Sequence, residues 1–465
     1  MSAARDIDRV AEHVIGTRFE DLPAEAVEKV GTFVLDTFGV GIAGSSGAGV
    51  AELVEVARGW GPQPEATVWL TGERLSAPSA AVVNAYQIHC LEYDCVHEGA
   101  VLHPMATMLA AILAWAEREA QQGRKVSGRD LIAALATGLD VATMLGIVTE
   151  APLRFFRPAT AGGLGAAAAI GKLAGLDTGG LKDALGAQYA QTCGTLQPHV
   201  EGSPMLGMQV GFNARAAIEA VDLAAAGFRG PHDILTGPYG YLALFEGGAH
   251  NLEAFLPSLG QDWQVCRLSH KPYPSGRLTH GVIDGLGQLM ARHGFGPADV
   301  AGVTAHVPPL VNRLVGRPNI PAPEPNYAKL CLRFVAGCFL ARGHVDVPDF
   351  RGMAALQDPE VHRFAAMVEV IQDDNPDLNA LDPQRIEVRL TDGSDHAITL
   401  PHVYGHPAVP LSADENIAKF RRCIGYGSHP LPEGQSEALI DAVGDLAGLE
   451  DITALVRLTL AERTA

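Results

Sequence analysis

The stretch Ile386-Glu387-Val388-Arg389-Leu390, then Thr391-Asp392-Gly393, then Ala397-Ile398-Thr399-Leu400, decides how the chain divides. Apolar and polar residues alternate with period two up to an Asp-Gly pair, which is the pattern of a β-hairpin. No strongly alternating strand stands out before residue 295. Around the hairpin, Val303, Ala305 and Val307 alternate, Met367 to Ile371 is short, apolar and β-branched, and 327–342 reads as a helix. Beyond it, Ser412 with Glu415 three residues on forms a capping box, and the helical pattern returns. Before residue 268 the chain is Ala-rich and helical. Helices are predicted over 7–15 with Asp6 as N-cap, from Leu22-Pro23-Ala24-Glu25 until a break at Gly39 to Gly47, and over 77–91, 104–121, 129–147, 162–174, 178–192 and 208–226. The predicted fold is mainly α with an α+β insertion. Residues 1–268 and 405–465 form a helical domain, and 269–404 form a smaller α+β lid domain.

The 465 residues are enough for two or three domains. With 47% hydrophobic and 19% charged residues, a large core is available and a disordered chain is excluded. The net charge of −19 argues against nucleic acid and anionic membrane as partners. Seven cysteines without a C-x-x-C pair argue against a disulfide framework or a structural zinc, and for a reducing compartment. The first sixteen residues carry charges throughout and lack the apolar run of a secretory leader. Apolar stretches such as 105–116 fall short of the about 20 residues of a membrane span. A soluble, cytoplasmic protein is expected.

Two segments concentrate groups that carry chemistry. Leu91 to Pro104 packs Glu92, Asp94, His97, Glu98 and His103 into a short loop between apolar helices. Carboxylates and imidazoles together suit general acid–base work near neutral pH. Metal ligation is not expected, because His97 and His103 have five residues between them and lie on different faces of a helix. Ser269 to His280 presents His270, Lys271, Arg277 and His280 on an extended, Pro-containing strip at the proposed domain boundary. In so acidic a chain this is a candidate carboxylate-binding patch. Gly163-Leu164-Gly165-Ala166-Ala167-Ala168 fits G-x-G-x-x-A, but no strand precedes it, so it reads as a tightly packed helix start. Gly44-Ser45-Ser46-Gly47 lacks the last glycine of a nucleophile elbow. His199 and Glu201 lie in a loop from which a ligand is within reach.

These residues, with others, resemble the MmgE/PrpD family, which includes 2-methylcitrate dehydratase, cis-aconitate decarboxylase and iminodisuccinate epimerase. The resemblance rests on Leu35 to Gly44, Asn84 to Pro104, Gly227 to Pro238, Lys271-Pro272-Tyr273-Pro274 with Arg277 and His280, Tyr404-Gly405-His406-Pro407, and Lys419-Phe420-Arg421. It implies a helical domain plus an α+β lid, a homodimer, no metal or organic cofactor, and chemistry at a carbon beside a carboxylate. On that basis His103, Asp94 and Lys271 are the expected catalytic residues. Glu92, His97, Arg277, His280, His199, Phe156 and Leu206 are expected around the substrate.

The departures from the family pattern are specific. Its usual Asp-(Phe/Tyr)-Asp-Asp-Thr is Glu92-Tyr93-Asp94-Cys95-Val96 here. A family His falls on Phe156, a Lys on Leu206 and another His on Gly276. A lysine that pairs a buried substrate carboxylate is worth about 2–5 kcal/mol on truncation. The expected substrate is therefore less anionic than 2-methylcitrate. The leading expectation is a dehydratase of a hydroxy-carboxylic acid. Isomerisation, epimerisation or decarboxylation is the alternative, and a non-catalytic ligand-binding relative is a third reading.

Overall fold

The computed structural model describes residues 6–461. The first five residues, part of the leader reading above, lie outside the described residues. The chain is mainly α-helical with a small α+β part, as predicted. One buried cluster gathers apolar side chains from Ile7 to Leu268 and takes in Phe420, Cys423, Leu439, Val443 and Leu455 from the C-terminal segment. A second draws on Leu278 to Leu390, joined by Leu153. Leu330 and Val347 cross over and bury in the first cluster, which ties the two cores together.

The helices of the first core are short of side-chain bulk, and this lets their backbones approach. Gly138 and Gly165, in the Gly128–Ile147 and Arg157–Leu173 helices, face one another. A Cβ on either would lie 2.7 or 2.6 Å from the other's carbonyl oxygen. The Gly163–Ala168 run therefore sits inside a packed helix. That helix begins at Arg157, not 162, because Pro158 is accommodated in its first turn. The Ala24–Gly44 helix runs through the glycines expected to break it. A Cβ at Gly41 would meet the Trp69 ring at 2.8 Å, and one at Gly44 would come within 1.8 Å of the Gln87 carbonyl oxygen. These glycines buy close packing; they do not mark a turn. Asp6 lies within the helix and is not its N-cap. The Gly128–Ile147 helix is long and apolar enough to cross a membrane, longer than any stretch singled out from sequence, but 89% of its apolar window is buried inside the protein. Its hydrophobicity is accounted for by the core.

The α+β part holds a four-stranded sheet, β1 (Val300–Val307), β2 (Val368–Gln372), β3 (Gln384–Leu390) and β4 (Asp395–Leu400), in the order β2-β1-β3-β4. β1 and β2 are parallel, and the other pairs are antiparallel. Val303 opposes Val388, and Ala305 opposes Ile386. The alternating residues are the buried ones, Val303, Ala305 and Val307 on β1 and Ile386, Val388 and Leu390 on β3. The helix His280–His293, not predicted from sequence, covers this face, with Gly285 lying directly over Ile386. A two-residue ribbon pairs Val96–His97 with Leu268–Ser269. It places the acidic loop beside the start of the basic strip.

Candidate active site

The Ala77–His89 helix ends just before the acidic loop. Glu92 then adopts a left-handed backbone, φ +54°. That conformation costs a non-glycine residue of order 1–3 kcal/mol and is held only by the surrounding structure. Here the restraint is visible. The Lys419 ammonium, itself paired to buried Asp36 at 2.7 Å, donates to the Tyr93 carbonyl at 3.0 Å. The Tyr93 hydroxyl donates to the Pro272 carbonyl at 3.2 Å and accepts from Arg422 at 2.8 Å. Both segments are thereby fixed relative to the C-terminal helix Ala413–Ile424.

Four sequence-predicted residues converge. Lys271 Nζ lies 2.9 Å from Glu92 Oε2 and 3.9 Å from Asp94 Oδ1. His103 Nδ1 lies 3.6 Å from Asp94 Oδ1. The fifth member, His89, was missed. Its Nδ1 meets Asp94 Oδ2 at 2.9 Å, and its Nε2 lies 3.5 Å from Glu92 Oε1. His89 precedes Glu92 and Asp94 by three and five residues, at a helix end. That spacing was the available signal, hidden because His89 reads as the last residue of an apolar helix.

The two imidazoles are pushed apart electrostatically. For His89, burial favours the neutral ring, but the Asp94 and Glu92 carboxylates outweigh it and raise its pKa. For His103, burial and then the Lys271 charge hold it down to about 4. Burial alone would raise Asp94, yet the His89 and His103 charges bring it to about 2. Lys271, above all, keeps Glu92 ionised well below the usual carboxylate range despite its burial. His103 Nδ1 lies 3.0 Å from the Cys95 carbonyl, which can only accept. The proton is therefore on Nδ1, and the Nε2 lone pair is free. The environment separates one charged and one neutral imidazole around a shared carboxylate, the arrangement by which acid and base roles are assigned.

Lys271 is fully buried. Its replacement by Met is expected to destabilise the fold by about 3–5 kcal/mol, because Glu92 is left buried and unpaired. A urea titration checks this. The double variant Lys271→Met/Glu92→Gln should recover part of the loss, and an unchanged midpoint in the single variant would contradict the pairing.

His103 faces a cavity of about 70 Å³ between the two cores. Glu92, His199, Phe156, Leu206 and Arg277 reach its wall, as does Gly276. Phe156, Leu206 and Gly276, the positions at which the resemblance led to an expected His, Lys and His, surround one cavity. A Cβ on Gly276 would meet Leu330 at 2.8 Å, so a larger residue there requires Leu330 to move. The two guanidiniums on the wall are already engaged. Arg157 pairs with Glu246 at 2.9 and 2.8 Å and donates to the Ala100 carbonyl. Arg277 pairs with Glu98 at 2.9 Å and donates to the carbonyls of Val403, Tyr404 and His270. It spans the chain's two passages between the cores, so the structure places it as a fastener where the sequence suggested a free carboxylate clamp. His199 accepts from Arg317 at 2.9 Å and is held to about 4 by burial, then by that cation.

Four predicted site residues lie off the cavity wall: Asp94 and Lys271, buried behind Glu92 and His103, and His97 and His280. His97 is buried in the turn of the loop, where its Nε2 meets Gln264 and its Nδ1 accepts from the Ala100 N–H. His280 is buried at the start of the His280–His293 helix, with Nε2 3.3 Å from the Ser275 carbonyl and its ring edge-on to Tyr273.

Among the described residues two groups bring His and carboxylate donors close enough to hold a metal ion: His89 with Asp94 and His103, and Asp382 with His402 and His406. In the first, the Lys271 ammonium already supplies a cation beside Asp94, and the His103 proton points to a carbonyl. The donor set fits proton transfer better than ligation.

Comparison with known proteins bears on the chain as a whole. The MmgE/PrpD N-terminal domain matches residues 8–253, and the MmgE/PrpD C-terminal domain matches 273–444. The chain is 28% identical to cis-aconitate decarboxylase of Homo sapiens, over 96% of this chain and 93% of that protein. It is 26% identical to cis-aconitate decarboxylase of Aspergillus terreus, over 94% and 92%. A cis-aconitate decarboxylase-like protein of Aspergillus oryzae is 27% identical over 59% of each chain. With both domain models matched in order along almost its whole length, the chain belongs to the MmgE/PrpD family.

Proposed function

We propose that the protein is a lyase acting on a carboxylic acid, by proton abstraction next to the carboxyl group with its own side chains. The single observation that carries this reading is His103, a neutral imidazole with its Nε2 lone pair facing a cavity whose wall is mainly apolar. Nε2 takes the proton. Lys271 does not reach the cavity wall; paired to Glu92 behind it, it acts on the enolate-like charge only through the field it adds there. Asp94, itself held by the charged His89, orients His103 and stabilises the positive charge it gains. In a dehydration the His103 imidazolium then returns the proton to the departing hydroxyl, so that one residue serves both half-reactions and water leaves intact.

A second reading is decarboxylation of an unsaturated acid, and similarity to cis-aconitate decarboxylases favours it. In that reading CO2 leaves in place of the proton, and its electron pair shifts to carbon, which must then receive a proton from an acid, so the two readings differ in their first step. The substrate is less anionic than a tricarboxylate, because no unengaged cation reaches the cavity and Leu206 and Phe156 stand where the family carries charge.

Incubation in D2O with mono-, di- and tricarboxylates, followed by NMR, tests the proposal. Deuterium should enter the carbon beside the carboxyl group of a mono- or half-esterified acid, and much more slowly that of 2-methylcitrate or cis-aconitate. Loss of water and release of bicarbonate separate the two readings. Rapid turnover of 2-methylcitrate would sink the charge argument, and no exchange in any acid would sink the chemistry.

A further inference from the structure

A second cleft, of about 310 Å³, lies between Ser46–Ala48 and Leu91 of the first core and Pro274, Lys329 and the 347–352 segment. We propose that this cleft binds a small organic anion, with a carboxylate or phosphate head held by Lys329 and Arg351 and a short apolar body. Its lining includes these two cations and no acidic residue, in a chain of net charge −19.

Lys329 is 5% exposed. Lysine is almost never so buried without a paired carboxylate, yet its Nζ contacts only the Cys90 carbonyl at 2.8 Å and Asn326 Oδ1 at 3.4 Å among the described residues. An ammonium has three protons to donate, so one remains for a ligand. Burial lowers its pKa, the cost of a buried cation that lacks a close counterion. Arg351, at the exposed rim, donates to Ser46 Oγ and to the Tyr426 carbonyl. Of the two carboxylates on its own segment, Asp346 is paired with Arg422 at 3.3 Å and Asp349 with Arg342. Leu91, Val347 and Phe350 provide the apolar wall.

The cleft is coupled to the catalytic cavity through Lys329 itself. Its carbonyl accepts from the Gly276 N–H at 3.0 Å, and Gly276 and Leu330 both line that cavity. Its ammonium holds Cys90, two residues before Glu92. An anion here joins both cores and reaches the acidic loop from outside the cavity.

Calorimetric titration of the intact protein with inorganic phosphate alone, and with butyrate alone, tests this. Saturable binding of either is expected, weakened about tenfold or more in Arg351→Gln and in Lys329→Met, and unchanged in His103→Ala. Phosphate binding would assign the site to the anionic head; binding of butyrate only would assign the apolar body a necessary share. Arg351 is exposed, so Arg351→Gln keeps the test intact if Lys329→Met does not fold. No saturable binding of either probe, equal binding by wild type and Arg351→Gln, or loss of binding in His103→Ala would overturn the proposal.

Discussion

Replacing His103 with alanine is expected to lower kcat by about 10²- to 10⁴-fold, the range typical of a lost general base. KM should change far less, since the cavity wall is mainly apolar and His103 is one contact among many. The substitution sits at the start of the Pro104–Gln121 helix and removes no ion pair shorter than 3.6 Å, so the fold should survive it. Steady-state kinetics with the acid identified by deuterium exchange, alongside circular dichroism, checks the effect. A fall of less than tenfold in a folded variant would remove His103 from the role of base. Asp94→Asn should act through His103, lowering kcat while leaving His103 itself in place.

The second large effect is acid unfolding. His97, His103, His199 and His270 are held at about 4 and His280 well below its ordinary value, in each case chiefly by burial. A group whose folded pKa is depressed contributes its stability in full above its unfolded value, near 6.5, and loses it as pH falls toward the folded value. His89, raised by its carboxylates, acts in the opposite sense. Below pH about 6.5 His89 is protonated in both states and adds no slope, so the five depressed groups leave a net uptake approaching about five protons on unfolding, each worth about 1.4 kcal/mol per pH unit. A total stability of about 5–15 kcal/mol cannot absorb that slope for long, and the midpoint should fall at about pH 5. Thermal melts from about pH 8 to about pH 5 should show a steep, accelerating fall. A flat melting temperature across that range would refute the buried neutral histidines. Loss of activity on the acid side should then be steep and follow unfolding, without the shallow one-proton profile of His103.

What sequence could reveal follows from the range of each interaction. The β3–β4 hairpin was legible because its signal is local: alternation, then Asp-Gly, then alternation. Glu92, Asp94 and His103 were legible as a cluster because they share one loop. Lys271 joined them only through the resemblance, since 179 residues separate it from Glu92. For Arg277 the charge is visible in sequence, but its engagement by Glu98, Val403 and Tyr404 is not. The glycines from 39 to 44 were misread because local propensity treats glycine as a breaker. The tertiary fact that Trp69 and Gln87 need that space overrides it.

The catalytic cavity, at about 70 Å³, is well below the roughly 300–1,000 Å³ usual for ligand sites. Arg277 meanwhile bolts both chain passages at its edge. A substrate therefore meets a door before it meets a base. On the proposed mechanism a substrate of ordinary size enters only when side chains of the wall such as Phe155, Phe156 and Leu206 give way, and that opening would share control of the rate with the chemistry behind it. A variant that turns over faster is as readily sought among those hydrophobic hinges as among the charged residues, and its gain would appear in association rate before it appeared in the proton-transfer step.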